Sequence, residues 1–393
     1  MSLPSPARLL DSKEISLVLA FGRLSVLEAC AVLGNAVKKV ESPTERVAVF
    51  HLDRSVSSRL ANLAGIHKFA PILAVVDEDL AGVQPLIDAL SRLVDDKQNL
   101  SVSGYDIDED QYESIVRSVL DGLKSEGLRK VRLLRPKGNE LLGEDVLSRG
   151  AADVVAFPLH ERIGLGVTAW VPDSASMRRR GVNKPVPRPD ISLSPRLAKV
   201  LVNLAGLNPG ETLLDPFCGS GTILAEAYIR GCQCLGLDTM ASRVQDARQN
   251  LGWFGGGPGG VRYDIRKGDA RELPRMLRGT KVEAVVTEPL LLPRLEGRPK
   301  TSTAARMIEE ARAIYSDSLT SIANVLRPGG RVVIVVPVIQ TMEDEEVSLT
   351  LEGRKLGLKH YQPGPVGFEY PIRLSFESTR WVKRAVYVFE SGS

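Results

Sequence analysis

The stretch Asp215-Pro216-Phe217-Cys218-Gly219-Ser220-Gly221-Thr222 decides the fold of the carboxyl-terminal half. An apolar run ends at Asp215, two glycines follow, and an apolar helical pattern begins at Thr222, which predicts a strand, a tight turn and a helix. Glycine tolerates positive φ and lets the backbone approach a ligand closely. Backbone amides at the start of a helix can hold an anion. These eight residues, the binding turn, therefore predict a ligand site at the carboxyl end of a buried strand.

Acidic residues follow the next two predicted strands. Asp238 ends the second strand, where a carboxylate can accept hydrogen bonds from ribose hydroxyl groups. Asp269 follows the third strand and could receive an adenine amino group. The pattern predicts a nucleoside-containing cofactor held by Asp215, Phe217, Gly219, Gly221, Thr222, Asp238, Asp269 and Ala270. A dinucleotide site is the alternative, but it usually needs a third glycine where this sequence has Leu224.

Strands and helices alternate through the carboxyl-terminal half. Ser194 is a predicted N-cap, and Pro195 takes the first helical position. The predicted strands are 212–214, 234–237, 263–265, 282–286 and 332–336, and the predicted helices are 195–205, 222–230, 242–251 and 304–326. This alternation predicts an α/β domain with a doubly wound, mostly parallel sheet.

The amino-terminal half has a mixed α/β pattern without a recognisable catalytic constellation. Its predicted strands are 15–21, 47–52, 102–105, 131–134 and 161–171, and its predicted helices are 26–36, 56–63 and 112–124. Three alternating prolines in 182–189 predict an extended segment, because proline fixes φ and restricts the preceding residue. We divide the chain into 1–60, 61–173, a linker at 174–191, and 192–393.

Composition and cysteine content restrict the class of protein. The chain has 393 residues, 43% of them apolar, and a net charge of +3, so we expect two or three globular domains. No run of about 18 apolar residues and no secretory signal is visible, so we expect no membrane span. Four scattered cysteines are too few for a disulfide framework. We expect a cytoplasmic protein without a metal site.

The predicted linker is strongly basic. Five of its cations are predicted to bind nucleic-acid phosphates: Arg178, Arg179, Arg180, Lys184 and Arg188. Asp190 is the one acid in this segment. A solvated interdomain linker is the alternative interpretation.

Two stretches, 192–205 and 214–227, resemble the archaeal and eukaryotic tRNA guanosine-10 N2-methyltransferase family. The segments 100–105 and 163–170 resemble its THUMP RNA-binding domain less specifically. The resemblance implies a class I, Rossmann-like methyltransferase domain at 192–393, a THUMP-like domain at 61–173 and a ferredoxin-like region at 1–60. It also implies S-adenosylmethionine as cofactor and tRNA as partner. The five linker cations would then bind RNA.

The sequence departs from this family at the fourth motif. The family has Asp-Pro-Pro-Tyr, and this chain has Thr287-Glu288-Pro289-Leu290. In the family, the acid and a proline-restrained carbonyl orient the target amine, and the tyrosine stacks on the extruded base. The resemblance therefore implies catalytic roles for Thr287, Glu288 and Pro289, with Leu290 offering no aromatic face.

Two alternatives remain open. The altered motif would fit a cofactor-binding, RNA-binding protein that transfers no methyl group. Alternatively, the enzyme could act on a different base, such as an adenine or cytosine amine in DNA. We expect a monomer, and the sequence leaves open whether a partner protein completes the pocket.

Overall fold

The computed structural model describes residues 13–53, 55–188, 193–255, 258–289, 292, 295–374 and 381–392. The chain divides into two compact units. The first comprises Met1–Ser174 and Gly364–Val366, and the second comprises Ala175–Pro363 and Gly367–Ser393. Leu290 of the fourth motif and Asp190 of the linker lie outside the described residues.

The first unit is built around a mixed sheet. Its strands are β1 Glu14–Leu19, β2 Val37–Glu41, β3 Val47–Leu52, β4 Ile66–Val76, β5 Asn99–Gly104, β6 Arg132–Leu134, β7 Ala151–Leu159 and β8 Arg162–Val167. Its helices are α1 Arg23–Leu33, α2 Ser57–Leu60, α3 Gln84–Leu93, α4 Glu109–Ser125 and α5 Gly143–Ser148.

These strands form one continuous sheet in the order β2-β3-β1-β4-β8-β7-β5-β6. Strand β4 pairs antiparallel with β1 on one side and with β8 on the other. Strand β5 is parallel to both β6 and β7. Strands from the predicted regions 1–60 and 61–173 thus share one sheet, and the division between these regions stays a prediction.

Packing of α3 and α4 explains the core of this unit. Leu86 and Leu90 of α3 and Ile115 and Val119 of α4 are buried in one cluster with strand residues. Their four-residue spacing places them on one face of each helix. Asp108 begins α4 as an N-cap, because its side chain accepts a hydrogen bond from Gln111 N at 2.8 Å.

The second unit contains the remaining elements. Its helices are α6 Ser174–Val182, α7 Pro195–Leu204, α8 Thr222–Ile229, α9 Ala241–Gly252, α10 Leu273–Leu277 and α11 Thr301–Val325. Its strands are β9 Thr212–Asp215, β10 Gln233–Asp238, β11 Tyr263–Lys267, β12 Val282–Thr287, β13 Leu326–Gln340, β14 Glu346–Ser348, β15 Leu358–His360, β16 Ile372–Arg373 and β17 Val382–Ser391.

The main path of its sheet runs β11-β10-β9-β12-β13-β17-β15. Strands β11, β10, β9, β12 and β13 are parallel, whereas β17 pairs antiparallel with β13 and β15. The chain crosses from β9 outward to β10 and β11 and returns to β12 on the other side of β9. This reversal creates a topological switch point, and ligands bind at the carboxyl ends of strands there.

Most predicted elements of the second unit are confirmed within a few residues. Ser194 caps α7, since its hydroxyl accepts from Leu197 N, and Pro195 occupies the first turn. Helix α10 and the antiparallel strands β14 to β17 were not predicted. In the first unit, β2, β4, β7, α3 and α5 were also not predicted. The predicted linker is helical over its first part, as α6, and no helix covers its described residues 183–188.

Among the described residues, no helix is long and apolar enough to cross a membrane. In the same residues, no cluster of histidine, cysteine and acidic side chains could hold a metal ion.

Candidate functional site

The binding turn connects β9 to α8 at the switch point. Cys218 N donates to Leu237 O at 2.8 Å, and Gly221 N donates back to Cys218 O at 2.7 Å. Gly221 has φ +81°, and a Cβ there would lie 2.8 Å from Leu251 Cδ1. Both its backbone conformation and its close packing therefore require glycine. The turn is a compact cradle at the amino end of α8.

Asp238 lies beside this turn at the end of β10. Its Oδ2 accepts from Gly219 N at 3.1 Å and its Oδ1 accepts from Met240 N at 2.9 Å. The residue is partly exposed. Since each carboxylate oxygen has two lone pairs, the same group can still accept hydrogen bonds from a ligand's hydroxyl groups.

Asp269 and Ala270 follow β11, the next strand in the sheet. Ala270 is buried. Asp269 caps a short 3-10 turn and pairs with Arg271, with Asp269 Oδ2 2.6 Å from Arg271 Nη2. This guanidinium holds the pKa of the Asp269 carboxyl below its usual range. An adenine amino group would share this carboxylate with Arg271.

Asp215 and Thr287 join the ends of β9 and β12. Thr287 Oγ1 donates to Asp215 Oδ1 at 2.7 Å, and Phe217 N donates to the same oxygen at 3.2 Å. Asp215 is 1% exposed and Thr287 is fully buried. Burial is the largest cause that raises the pKa of Asp215 to about 7. Asp215, the first residue of the binding turn, thus ties this turn to the fourth motif.

Glu288 follows Thr287 and pairs with a residue from another strand. Glu288 Oε1 lies 2.5 Å from Arg384 Nε, and their side chains are 10% and 6% exposed. Pro289 is buried beside them. The hydroxyl of Tyr315, on α11, has its pKa raised first by burial and then by the charge of Glu288. The acid of this motif is therefore held within the fold.

Arg384 is a site residue that the sequence analysis missed. It lies in β17, and its partner Glu288 precedes it by 96 residues. The available signal was a cation within an apolar strand, because buried arginine is rare unless it is paired.

The linker cations divide into two groups. Arg178 and Arg179 are exposed on α6. Arg180 binds Glu226 of α8 through two hydrogen bonds of 2.9 Å each. Lys184 is buried and donates to Thr222 Oγ1 at 3.0 Å, and Arg188 Nη2 lies 3.0 Å from Asp246 Oδ2. Arg180, Lys184 and Arg188, which were predicted to bind phosphates, thus already bind side chains of their own unit.

Comparison with known proteins places this geometry in context. Residues 187–355 match the family model described as the RMKL-like methyltransferase domain. This segment contains the binding turn and Thr287 to Pro289, and it ends before Arg384.

Curated relatives share part of the chain. The chain is 33% identical over 161 residues to tRNA (guanine(10)-N2)-dimethyltransferase of Methanothermobacter thermautotrophicus, covering 40% of this chain and 43% of that protein. It is 32% identical over 160 residues to the Pyrococcus abyssi protein of the same name, with the same coverage. It is 34% identical over 151 residues to tRNA (guanine(6)-N2)-methyltransferase of Thermus thermophilus, covering 37% and 39%. The chain spans about two-fifths of the length of these relatives.

Solved structures extend the likeness over both units. TrmN from Thermus thermophilus aligns with a TM-score of 0.53 at 18% identity, covering 96% of this chain and 99% of that chain. A possible methylase from Clostridium difficile 630 aligns with a TM-score of 0.53 at 12% identity, covering 97% and 98%. The fold is that of class I methyltransferases. The fold prediction is confirmed, whereas the THUMP assignment stays a prediction.

Proposed function

We propose that this chain transfers a methyl group from S-adenosylmethionine to the exocyclic N2 amine of a guanine in tRNA. One observation carries the proposal. The hydrogen bond between Thr287 and Asp215 joins the fourth motif to the binding turn at the switch point, so donor and acceptor residues lie at one strand edge. Relatives named for N2 methylation of tRNA guanine support this choice of acceptor, and the names of two of them give position 10.

The residues of the turn fit the methyl donor. The tight backbone at Gly221 leaves no room for a side chain, and Asp238 stands partly exposed at the end of the neighbouring strand. Gly219 and Gly221 would face the methionine part, Asp238 the ribose, and Asp269 with Ala270 the adenine. The donor supplies an electrophilic methyl group on a sulfonium. These five residues would thus contact the donor along one edge of the sheet.

The fourth motif would orient the acceptor amine. Glu288 is fixed by Arg384, and Pro289 restrains the backbone that carries the Glu288 carbonyl. These oxygens can accept the amine hydrogens, which turns the nitrogen lone pair toward the methyl carbon. As the C–N bond forms and the C–S bond breaks, the electron pair stays on sulfur, and the amine proton passes to Glu288 or to water. Orientation supplies most of the acceleration in such a mechanism.

Thr287 has a different place in this proposal from the other two motif residues. Its hydroxyl donates to Asp215, and it is fully buried. It would therefore hold the fourth motif in register with the binding turn. Its predicted contact with the target amine stays a prediction.

The exposed cations of α6 would contact tRNA phosphates. Arg178 and Arg179 are exposed, whereas Arg180 is engaged by Glu226. We expect an Arg179→Gln variant to weaken tRNA binding and to lower the salt slope of log Kd by about 1. No membrane component or resident metal forms part of this proposal.

The test is mass spectrometry of nucleosides from tRNA transcripts incubated with the full chain and the methyl donor. We expect N2-methylated guanosine, and a transcript without a guanine at position 10 should remain unmodified. Glu288→Gln should lower the rate by about 10²- to 10⁴-fold, because it keeps the shape and removes the charge. Glu310 is an exposed acid on α11, so Glu310→Gln is the matched control and should leave the rate unchanged.

Two results would overturn the proposal. Cofactor binding without any methylated nucleoside would favour an RNA-binding protein that transfers no methyl group. A methylated adenine or cytosine, from RNA or DNA, would keep the enzyme and replace its substrate.

A further inference from the structure

The linker segment 183–188, which we call the strap, lies against the binding turn. Its Lys184 donates to Thr222 Oγ1 at 3.0 Å, at the first residue of α8. Lys184 is 7% exposed, and burial lowers the pKa of its amine. A surface cation that binds phosphate would be solvated, so this lysine is placed for an internal role.

Asn250 of α9 joins the strap to the turn directly. Its Oδ1 accepts from Val186 N at 2.8 Å, and its Nδ2 donates to Val186 O at 3.1 Å. The same Nδ2 donates to Ser220 O at 2.8 Å. Asn250 is 1% exposed, so these bonds form away from competing water. One buried amide thus holds both segments.

The bond to Ser220 fixes one peptide plane of the binding turn. The carbonyl of Ser220 is held by Asn250, and the adjoining N–H of Gly221 is held by Cys218 O at 2.7 Å. Because both ends of this peptide are bonded, it cannot rotate without breaking a buried hydrogen bond. Gly221, the next residue, is in the left-handed region where backbone freedom is greatest.

We infer that Asn250 and Lys184 are positioning residues that set the affinity for the methyl donor by holding the binding turn in place through Ser220 and Thr222. This inference rests on the proposed function, since it assumes that the turn binds that donor. Neither residue is assigned to the reacting atoms. Their hydrogen bonds hold the turn in its bound conformation in the absence of ligand, so binding the donor costs less conformational entropy.

Arg188 supplies a matched control on the same strap. It pairs with Asp246 of α9 at 3.0 Å, and its side chain is 44% exposed. Among the described residues, the side chain of Asp246 pairs with Arg188 and Arg243 and not with the binding turn. Loss of the Arg188–Asp246 pair should therefore loosen the strap without freeing the peptide between Ser220 and Gly221.

The experiment measures binding of S-adenosylhomocysteine to the full chain by calorimetry, with tRNA binding measured in parallel. In Asn250→Asp, an oxygen replaces the nitrogen that faces the carbonyls of Ser220 and Val186, and we expect Kd to rise by at least about tenfold. In Lys184→Met we expect a rise of about five- to tenfold. Arg188→Met should change Kd by less than about twofold.

The kinetic signature distinguishes positioning from general destabilisation. Asn250→Asp and Lys184→Met should raise KM for the methyl donor and leave kcat and KM for tRNA near the wild-type values. Thermal unfolding of each variant shows whether it is folded. If Asn250→Asp does not fold, Lys184→Met decides the question.

Each negative result has a separate meaning. If the wild-type chain binds no S-adenosylhomocysteine, the proposed function fails. If the wild type binds it and Lys184→Met binds equally well but loses tRNA affinity, the inference fails and Lys184 is a phosphate ligand. If all three variants weaken the cofactor equally, the strap acts only through overall stability and the inference also fails.

Discussion

Among the described residues, a deeply buried ion pair lies in each unit, and the two pairs differ in what surrounds them. In the first unit, Lys68 Nζ lies 2.7 Å from Asp153 Oδ2, and both side chains are fully buried. Asp153 also accepts from the hydroxyls of Ser103 and Thr168, each at 2.7 Å. In the second unit, Glu288 pairs with Arg384 directly after the end of β12.

We propose that position in the sheet, rather than burial, distinguishes a pair that only stabilises the fold from a pair that acts at the site. Asp153 lies within β7 and Lys68 within β4, so their network closes inside the sheet. Glu288 lies at the carboxyl edge beside the binding turn, where ligands bind in such sheets. A buried pair by itself is weak support for either role.

The largest expected effect is the loss of the pair in the first unit. Lys68→Met leaves the carboxylate of Asp153 buried without its cation, so we expect a loss of about 3–5 kcal/mol in the free energy of unfolding. Urea unfolding followed by circular dichroism measures it. Lys68→Met with Asp153→Asn should recover most of the loss, because the buried charge is gone. Wild-type stability in the single variant would show that the pair contributes nothing.

The pair in the second unit should affect activity more than a purely structural pair can. In Arg384→Met, Glu288 loses the group that fixes it, and we expect the single-turnover rate of methyl transfer to fall by about 10²-fold. Binding of S-adenosylhomocysteine should stay near wild type, and Arg384→Lys should restore part of the rate. A destabilised variant with an unchanged rate would make this pair structural, like Lys68–Asp153.

A third buried carboxylate, Asp215, should make the stability of the folded chain depend on pH. Its pKa is raised to about 7 in the folded chain, so between about pH 4 and 7 the folded state binds more protons than the unfolded state. The contribution of Asp215 to the free energy of unfolding is therefore fully present below about pH 4. It is lost as pH rises toward 7, by up to about 1.4 kcal/mol per pH unit.

Comparison of the wild type with Asp215→Asn in urea at pH 5, 6, 7 and 8 isolates this contribution. The variant should show a flatter profile and a relative gain in stability at pH 8. Parallel profiles for the two proteins would contradict the assignment of the titration to Asp215.

The smallest effect concerns the bond that joins turn and motif. Thr287→Val keeps the shape and removes the donor to Asp215, so we expect a loss of about 1 kcal/mol in the free energy of unfolding. Thr287→Ser should lose less. If Thr287→Val instead abolished methyl transfer while remaining folded, the hydroxyl would be shown to act on the target amine.

Local sequence signals were enough to predict the parallel strands of the second unit. Strands β9 and β10 are short runs that end in an acid, Asp215 and Asp238, and Gly268-Asp269 follows β11, so the spacing of these acids follows the order of the strands. The strands from β14 to β17 lack such punctuation. Their place depends on pairing with β13, a partner distant in sequence, which periodicity does not report.

The partners of the charged residues at the site also could not be predicted from the sequence. Counting cations in the linker could not reveal that Arg180 meets Glu226, or that Lys184 meets Thr222, because those partners lie on α8. Arg384 escaped for the same reason, since its partner precedes it by 96 residues. Residue type and spacing located the binding turn, whereas the contacts that hold it come from tertiary packing.

The continuous sheet of the first unit restricts how the chain can be shortened. Strand β4, Ile66–Val76, is flanked on one side by β1, which comes from the first residues of the described chain. A fragment that starts at residue 61 would present this long apolar strand with unsatisfied N–H and C=O groups along one side. Such an edge is a template for pairing with other molecules. We expect fragments cut there to aggregate during expression, so a usable truncation must keep β1 with β4.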